Sequence, residues 1–238
     1  GNRDGALTAA ITNTEGSLLA QHAQYHLNCH AQKENSLAAT KTFLAQMALL
    51  TALAARLSGE TKLFHLLEQL SDLASSILGR TEEISRLVNR YRFMNECFIL
   101  ARGVNYPVAL EFAIKIQETS FIRSHAFSVA NFTHGPVAML RDFIPVLVLA
   151  TDAETDGNTC EMIKRVRKEG GDVCVITNKP EIAALTGDNA LLLPAECEGV
   201  AGAFACATAV QLFACELAVQ RGNNPDAPHG LTKVTITR

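Results

Sequence analysis

Five short, mostly apolar runs recur along the chain. They cover residues 6–12, 97–101, 144–150, 173–177 and 190–193. Near-continuous apolar runs of this length are typical of strands that are buried on both faces of a parallel sheet. We therefore predict a strand at each of the five runs.

Longer segments with apolar residues at helical spacing separate these runs. They cover residues 36–57, 61–78, 107–120, 158–169 and 199–220. The second repeats leucine every three or four residues, which predicts an amphipathic helix, and the last is apolar on almost every side, which predicts a buried helix. Because strands and helices alternate, the predicted fold class is α/β, doubly wound, with a mostly parallel sheet.

An internal repeat predicts how the chain is divided. The segment 5–13 resembles the segment 170–178, so that Ile11 corresponds to Ile176, and each copy precedes a short helix, a short strand and a long alanine-rich helix. Only the second copy is preceded by a strand, a loop and a helix. We expect residues 1–60 to be the C-terminal half of a first unit whose N-terminal half is absent. Residues 61–78 would form a linking helix, and residues 79–238 a complete second unit with a C-terminal tail.

Composition narrows the class of protein. The chain is 48% hydrophobic and 19% charged, with a net charge of -3, which is typical of a globular protein and gives no basic face for nucleic acid. A basic run at 164–168 predicts only a solvated helix face. We expect no membrane segment and no signal peptide. The seven cysteines form no C-x-x-C pair, which favours a reduced, cytoplasmic protein.

Three groups of polar residues are candidates for chemistry. Glu111, Lys115 and Glu118 share one face of a predicted helix, either as a surface ladder of ion pairs or as a proton-carrying carboxylate beside a lysine. His134 precedes a Gly-Pro turn, where most histidines are structural or solvated. Lys233 lies near the C-terminus, where most lysines are surface charges.

The combination of these motifs resembles a known family. The sequence YPVALEFAIKIQE at 106–118, THGP at 133–136 and NPDAPHGLTKVT at 224–235 together resemble the double-SIS sugar isomerases. That family includes the isomerase domain of glucosamine-6-phosphate synthase and the glutaminase-free glucosamine-6-phosphate deaminases. The resemblance extends over essentially the whole chain.

The resemblance implies a role for each candidate. Glu118 would move a proton between C1 and C2 of an open-chain sugar, and His134 would assist ring opening and reach into the neighbouring subunit's site. Lys233 would approach the sugar carbonyl, and Lys115 would hold Glu118 and the substrate in register. The remaining implied substrate-binding residues are Leu37, Ala38, Ala39 and Thr232. The resemblance further implies a sugar phosphate substrate, a homodimer, and neither a metal nor an organic cofactor.

Four functions are compatible with the resemblance. The first, which we expect, is an amino-sugar phosphate deaminase/isomerase that converts glucosamine 6-phosphate to fructose 6-phosphate and ammonia. It is favoured by Ala39, where the synthases usually carry serine, and by the segment 224–226. The second is the isomerase part of a glutamine-dependent synthase. The third is a regulatory module that binds a sugar phosphate without turnover. It is favoured by Asn131, which replaces the usual glutamate, and by the lack of the family's phosphate-binding loop in this sequence, since that loop is expected upstream of Gly1. The fourth is a fructosamine-phosphate deglycase.

Overall fold

The chain divides into two compact units, Gly1–Leu70 and Ser71–Arg238. A computed structural model describes residues 1–141 and 143–232. Each unit is described by itself below.

The first unit contains a pair of parallel strands. Its elements are β1 (Ala9–Thr12), α1 (Leu18–His22), β2 (Tyr25–Asn28), α2 (Lys41–Ser58) and the first half of α3 (Thr61–Leu78). In the register of β1 and β2, Ala9 pairs with Tyr25 and Thr12 with Asn28.

The second unit is built on a parallel sheet of five strands. The strands are β3 (Glu96–Ala101), β4 (Arg123–Ser128), β5 (Pro145–Ala150), β6 (Asp172–Thr177) and β7 (Ala190–Leu192), in the order β4-β3-β5-β6-β7. The helices after α3 are α4 (Thr81–Asn89), α5 (Tyr106–Ser120), α6 (Val129–Thr133), α7 (Asp156–Lys168), α8 (Pro180–Ala183) and α9 (Gly199–Gln220).

Helices cover both faces of this sheet. On one face α5 packs against β3, β4 and α9, and the ring of Phe112 meets the ring of Phe213 edge-on at 5.3 Å. On the other face α6, α7 and α8 bury alternate strand residues, among them Phe98 and Val148. This period of two sends successive side chains to opposite layers, which is why the strands are apolar throughout.

The strand order creates a switch point between β3 and β5. The chain leaves β3 toward α5 on one face of the sheet and leaves β5 toward α7 on the other. Loops that diverge in this way leave a crevice beyond the carboxyl ends of the two strands, where open α/β sheets bind ligands.

The predicted fold class is confirmed, and the differences are local. All five predicted strands and all five predicted helices are present, whereas β4, α4 and α6 were not predicted. The helix predicted from residue 36 begins instead at Lys41. The reason is that the Glu34 carboxylate accepts hydrogen bonds from the backbone N–H groups of Thr40 and Thr42, at 3.0 and 2.8 Å, and so takes up donors of the first turn.

The internal repeat corresponds to a repeated order of elements. The series β1-α1-β2-α2 in the first unit matches β6-α8-β7-α9 in the second, and the shift between the repeated segments carries Tyr25 onto Ala190, the first residue of β7. The structural division falls inside α3, between Leu70 and Ser71. The domain limits expected from the sequence remain a prediction.

Candidate active site

Helix α5 carries the main candidate residues on a rigid support. The helix begins with Pro107 in its first turn, a position that needs no N–H donor, and ends at Phe121 in the left-handed conformation. Its attachment to β4 is direct, because Ser124 Oγ donates to the Ala113 carbonyl and Gln117 Nε2 donates to the Ser124 carbonyl, both at 2.7 Å. A side chain on α5 is therefore held at a fixed position relative to the sheet.

Lys115 links two carboxylates on one side of α5. Its Nζ lies 2.7 Å from Glu118 Oε2 and 3.7 Å from Glu111 Oε1. The side chain of Lys115 is only 6% exposed, against 11% for Glu111 and 30% for Glu118. The arrangement is therefore a largely buried triad and not the solvated ladder that the spacing alone would allow.

The two carboxylates of the triad differ in their surroundings. Glu111 Oε1 is buried without a hydrogen-bond partner among the described residues, whereas Glu118 accepts the short bond from Lys115. Burial raises the pKa of the Glu111 carboxyl, the nearby Lys115 ammonium opposes that rise, and the charge of Glu118 adds to it. Glu118 is the more exposed carboxylate and the one a substrate can reach.

The C-terminal tail leaves α9 close to Glu118. Asn223 Nδ2 donates to the carbonyl of Thr119, the residue after Glu118, at 3.2 Å. Thr232 is exposed, and Lys233, to which the resemblance assigns a role at the sugar carbonyl, lies outside the described residues. The tail thus starts beside the triad, ten positions before Lys233.

The crevice at the switch point is closely packed on one side. Gly103, the second residue after β3, has a φ of 59°, and a Cβ there would collide with the Asp152 carboxylate. Nearby, Thr151 Oγ1 donates to Asn105 Oδ1 at 2.9 Å, and both side chains are fully buried. Helix α9 approaches the same loop so closely that a Cβ on Gly202 would overlap Thr151.

Opposite charges tie the loops after β5 and β6 together. Glu198 accepts hydrogen bonds from the Ala153 backbone N–H at 2.5 Å and from Asn178 Nδ2 at 3.1 Å, and it lies 3.1 Å from Lys179 Nζ. Lys179 also pairs with Asp156. Partial burial would raise the pKa of the Glu198 carboxyl, but these hydrogen bonds and the Lys179 charge outweigh it and hold that pKa below its usual value.

His134 lines a cavity of about 280 Å³ at the end of α6. The lining comes from the residue after β3, from α6 and from one face of α7; it comprises Arg102, Val129, Ala130, Thr133, His134, Asn158, Glu161, Met162 and Arg165. Ser128 Oγ caps α6 by accepting from the Asn131 backbone N–H at 3.1 Å, which fixes where the helix starts. The imidazole itself is exposed and makes no hydrogen bond within residues 1–141 and 143–232.

The other expected binding residues belong to the first unit. Leu37, Ala38 and Ala39 lie in the bend just before α2 and not at the start of the helix. Ser36 Oγ donates to the Ala38 carbonyl at 3.2 Å, and Ala38 is buried. The structure therefore brings Lys115 and Glu118 together in the second unit and places this backbone segment in the first.

Two features of the site were missed from the sequence. Arg165 was expected as part of a solvated helix face and is exposed, but the sequence did not indicate that it lines the same cavity as Arg102 and His134. The spacing of Asn158, Glu161, Met162 and Arg165 on α7 could have indicated a shared face. The burial of Glu111 has no sequence signal of its own, since it follows from how α5 packs.

Comparisons with known proteins agree with the fold. The family model for the SIS domain matches residues 2–56 and 94–221. A glutamine–fructose-6-phosphate aminotransferase (isomerizing) of Aquifex aeolicus is 31% identical over 234 residues, which is 98% of this chain and 39% of that protein. The chain thus spans about two fifths of the length of such relatives.

Solved structures share the architecture. The C-terminal domain of glucosamine-fructose-6-phosphate aminotransferase from Francisella tularensis has a TM-score of 0.82 at 24% identity, covering 92% of this chain and 65% of that one. Glucosamine-6-phosphate deaminase from Thermotoga maritima has a TM-score of 0.73 at 21% identity, covering 97% and 67%. At these identities the likeness shows a common fold.

Proposed function

The chain belongs to the SIS domain family, and from this premise we propose that it is an aldose–ketose isomerase acting on phosphorylated amino sugars. The observation that carries the proposal is the pair of Lys115 Nζ and Glu118 Oε2, 2.7 Å apart on a rigid and largely buried helix face. Isomerisation needs one carboxylate that can take a proton from a carbon and return it to the next. Glu118 is the carboxylate that meets this need.

The proposed isomerisation depends on the transfer of one carbon-bound proton by Glu118. In the open-chain sugar, Glu118 removes the proton from the carbon next to the carbonyl or imine, and the electron pair of that C–H bond forms a carbon–carbon double bond. At the same time the π electrons of the carbonyl or imine move to its oxygen or nitrogen, which takes up a proton from solvent. The same carboxyl then delivers its proton to the former carbonyl carbon, the hydroxyl on the adjacent carbon loses its proton to solvent, and the carbonyl has moved by one position. Lys115 fixes the direction of the carboxylate, and the family resemblance gives His134 the role of assisting ring opening and Lys233 that of acting at the sugar carbonyl.

Between the possible reactions, we favour the isomerase part of a glutamine-dependent synthase that makes glucosamine 6-phosphate. The support is the identity of 31% to a relative named as an isomerizing glutamine–fructose-6-phosphate aminotransferase. The second candidate is glucosamine-6-phosphate deaminase, supported by Ala39 and by the segment 224–226. In either case we propose a cytoplasmic homodimer that binds a sugar phosphate, with Leu37, Ala38, Ala39 and Thr232 lining the sugar.

The proposal is tested by following the proton. The chain is incubated with fructose 6-phosphate or glucosamine 6-phosphate in D₂O, and deuterium at C1 and C2 is followed by NMR. We expect incorporation by the unmodified chain and a loss of about 100-fold or more in Glu118→Gln, since a positioned general base contributes about 10²–10⁴ in rate. The control Glu82→Gln makes the same chemical change on the exposed surface of α4. Equal rates in Glu118→Gln and in the unmodified chain would refute the assigned mechanism.

The same incubation separates the two reactions. A deaminase releases about one ammonia for each deuterium that it incorporates from glucosamine 6-phosphate. The isomerase part of a synthase exchanges the carbon-bound proton much faster than it releases ammonia. The measured ratio of ammonia to deuterium therefore decides between the candidates.

The proposed sharing of the site between subunits has its own test. If His134 serves the neighbouring subunit, a Glu118→Gln chain and a His134→Gln chain are each inactive alone, but a mixture that exchanges subunits regains one intact site per mixed dimer. We expect the mixture to recover up to about a quarter of the normal rate, because half the dimers are mixed and each has one working site. A mixed dimer that stays inactive would show that Glu118 and His134 work within one chain.

A further inference from the structure

The cavity between α6 and α7 combines an apolar floor with a positively charged rim. Val129 and Met162 form the floor and are 3% and 5% exposed. The rim carries the guanidinium groups of Arg102 and Arg165, with the imidazole of His134 beside them. An apolar body with a few convergent polar groups is the usual composition of a small-molecule site.

Neither arginine of the rim has a hydrogen-bond partner among the described residues. Within residues 1–141 and 143–232, no carboxylate or carbonyl accepts a hydrogen bond from the guanidinium of Arg102, which is half-buried, or from that of Arg165, which is exposed. Elsewhere in this unit partly buried cations are partnered, as Arg80 is with Glu83 and Lys179 is with Asp156. Arg102 lacks such a partner among the described residues, and with the exposed Arg165, which lines the same cavity, it provides donors for a ligand.

The position of the cavity supports the same conclusion. Arg102 directly follows β3, and α7 follows β5, so the cavity opens at the switch point where the loops of adjacent strands diverge. Asn158 in the first turn of α7 lines the cavity, which brings the positive end of the helix dipole near it. The one opposing charge is the carboxylate of Glu161.

We propose that this cavity is an anion-binding site separate from the Lys115–Glu118 pair of the same chain, and that it takes a small phosphate monoester with its phosphate between Arg102 and Arg165. Arginine suits this ligand because its planar fork donates two hydrogen bonds to one phosphate. The organic part of the ester rests on the floor of Val129 and Met162. The carboxylate of Glu161 repels the phosphate dianion, so the affinity is lower than it would be without this negative charge.

The inference is tested with methyl phosphate, a monoester that contains no sugar. Its affinity for the whole chain is measured by calorimetry, and the imidazole signals of His134 are followed by NMR in the same titration. We expect binding that shifts the His134 signals and weakens at least tenfold in Arg102→Gln and in Arg165→Gln. Lys168→Gln is the matched control, since it removes one positive charge from the last turn of the same helix, away from the cavity.

A second variant should change the affinity for methyl phosphate in the opposite direction. Glu161→Gln removes the opposing charge with almost no change of shape, so we expect it to tighten methyl phosphate binding by about threefold or more. This variant also answers the concern that an arginine change has merely disturbed folding. Absence of binding in the unmodified chain, equal weakening by Lys168→Gln, or weaker binding in Glu161→Gln would each overturn the proposal.

The inference does not depend on the proposed catalytic function. Methyl phosphate binding is measured without turnover, and deuterium exchange is measured without methyl phosphate. If the chain binds methyl phosphate but exchanges no proton, the anion-binding site is supported and the isomerase assignment is wrong. If it exchanges the proton but does not bind methyl phosphate, the isomerase assignment is supported and the anion-binding site is wrong.

Discussion

Lys115 places a positive charge where little water reaches it. Burying an ammonium group costs several kcal/mol unless its partners offset the loss of hydration. Two carboxylates do so here, at 2.7 and 3.7 Å. With one cation and two potential anions, however, the triad carries an excess negative charge when both carboxyls are ionised. Glu111, the more buried of the two, is the one that is disfavoured in its charged form.

This imbalance predicts a pH dependence of stability for Glu111. Its pKa is raised on folding from the ordinary value of 4.5, so its contribution to stability is fully present below that pH and is lost as the pH rises through the folded value. Glu111→Gln cannot ionise. We therefore expect the free energy of unfolding of this variant, relative to the unmodified chain, to increase as the pH rises above 4.5. Urea unfolding at a series of pH values measures it.

Glu198→Gln is the matched control, because it makes the same substitution at a carboxyl whose pKa is shifted in the other direction. Hydrogen bonds and Lys179 overcome the effect of partial burial and lower its pKa below 4.5, so its contribution is present above that pH and is lost as the pH falls. We expect Glu198→Gln to be less stable than the unmodified chain near neutral pH, with the difference shrinking in acid. Parallel pH trends in the two variants would contradict this account.

For single residues, the sequence predicted which side chains share a helix face but not whether that face is buried. The separation of Glu111, Lys115 and Glu118 by four and three positions placed them on one helix face, and the structure has them there. Whether that face meets water depends on β3, β4 and α9, which pack against α5 from distant parts of the chain. Arg165 shows the same limit, because only the folded chain brings it to the same cavity as Arg102.

At the scale of elements, α9 is the main buried helix of the second unit. It is apolar and long enough to cross a membrane, yet most of it is buried against α4 and α5. Its close approach to the loop after β5 depends on the absence of a side chain at Gly202. A Cβ there would overlap Thr151 and lie 2.6 Å from the carbonyl oxygen of Cys197.

Gly202→Ala is therefore expected to destabilise the chain even though alanine favours helices. Replacing glycine by alanine within a helix normally stabilises by about 0.5–1 kcal/mol, but overpacking a filled contact costs about 1–3 kcal/mol. Here the second effect should be the larger, because the neighbours include backbone atoms that cannot turn aside. Thermal or urea unfolding measures the net change.

Gly157→Ala is the control for that substitution. Gly157 lies in the first turn of α7, and a Cβ there meets nothing within 4 Å. We expect this variant to be unchanged or more stable by up to about 0.5 kcal/mol, the direction given by helix propensity alone. If both variants gained stability, the close approach of α9 to Thr151 would not be a constraint.

Elements were predictable where the apolar pattern was strong. The strands β3, β5 and β6 are covered on both faces, so their sequences are apolar throughout and were recognised to within about two residues. Strand β4 is at the edge of the sheet and begins with three consecutive polar residues, Arg123, Ser124 and His125, so its sequence gave no clear strand signal. Helix α2 started late because Glu34, a residue outside the helical pattern, binds its first turn.

At the scale of the whole chain, the two units differ in how much of each is buried. Among the described residues of the first unit, only Ala10, Ala38, Thr51 and Ala55 are buried, and Leu7 and Leu18 are 78% and 75% exposed. In the second unit, β3, β5 and β6 are buried along nearly their whole length. Local stability follows buried apolar contacts, so the two units should open at different free energies.

This difference predicts a graded pattern of amide hydrogen exchange. We expect amides of β3, β5, β6 and α9 to be the slowest, because the strands share one buried core and α9 is buried against α4 and α5, so that exchange needs these contacts to open. Amides of β1 and β2 are hydrogen-bonded in the same parallel manner but enclose little apolar surface, so they should exchange earlier in the same experiment. The comparison is between backbone hydrogen bonds of parallel strands in the same molecule, so solvent and temperature are identical for both sets. If β1 and β2 were as protected as β6, burial within each unit would not be what limits opening, and the two units would unfold as one.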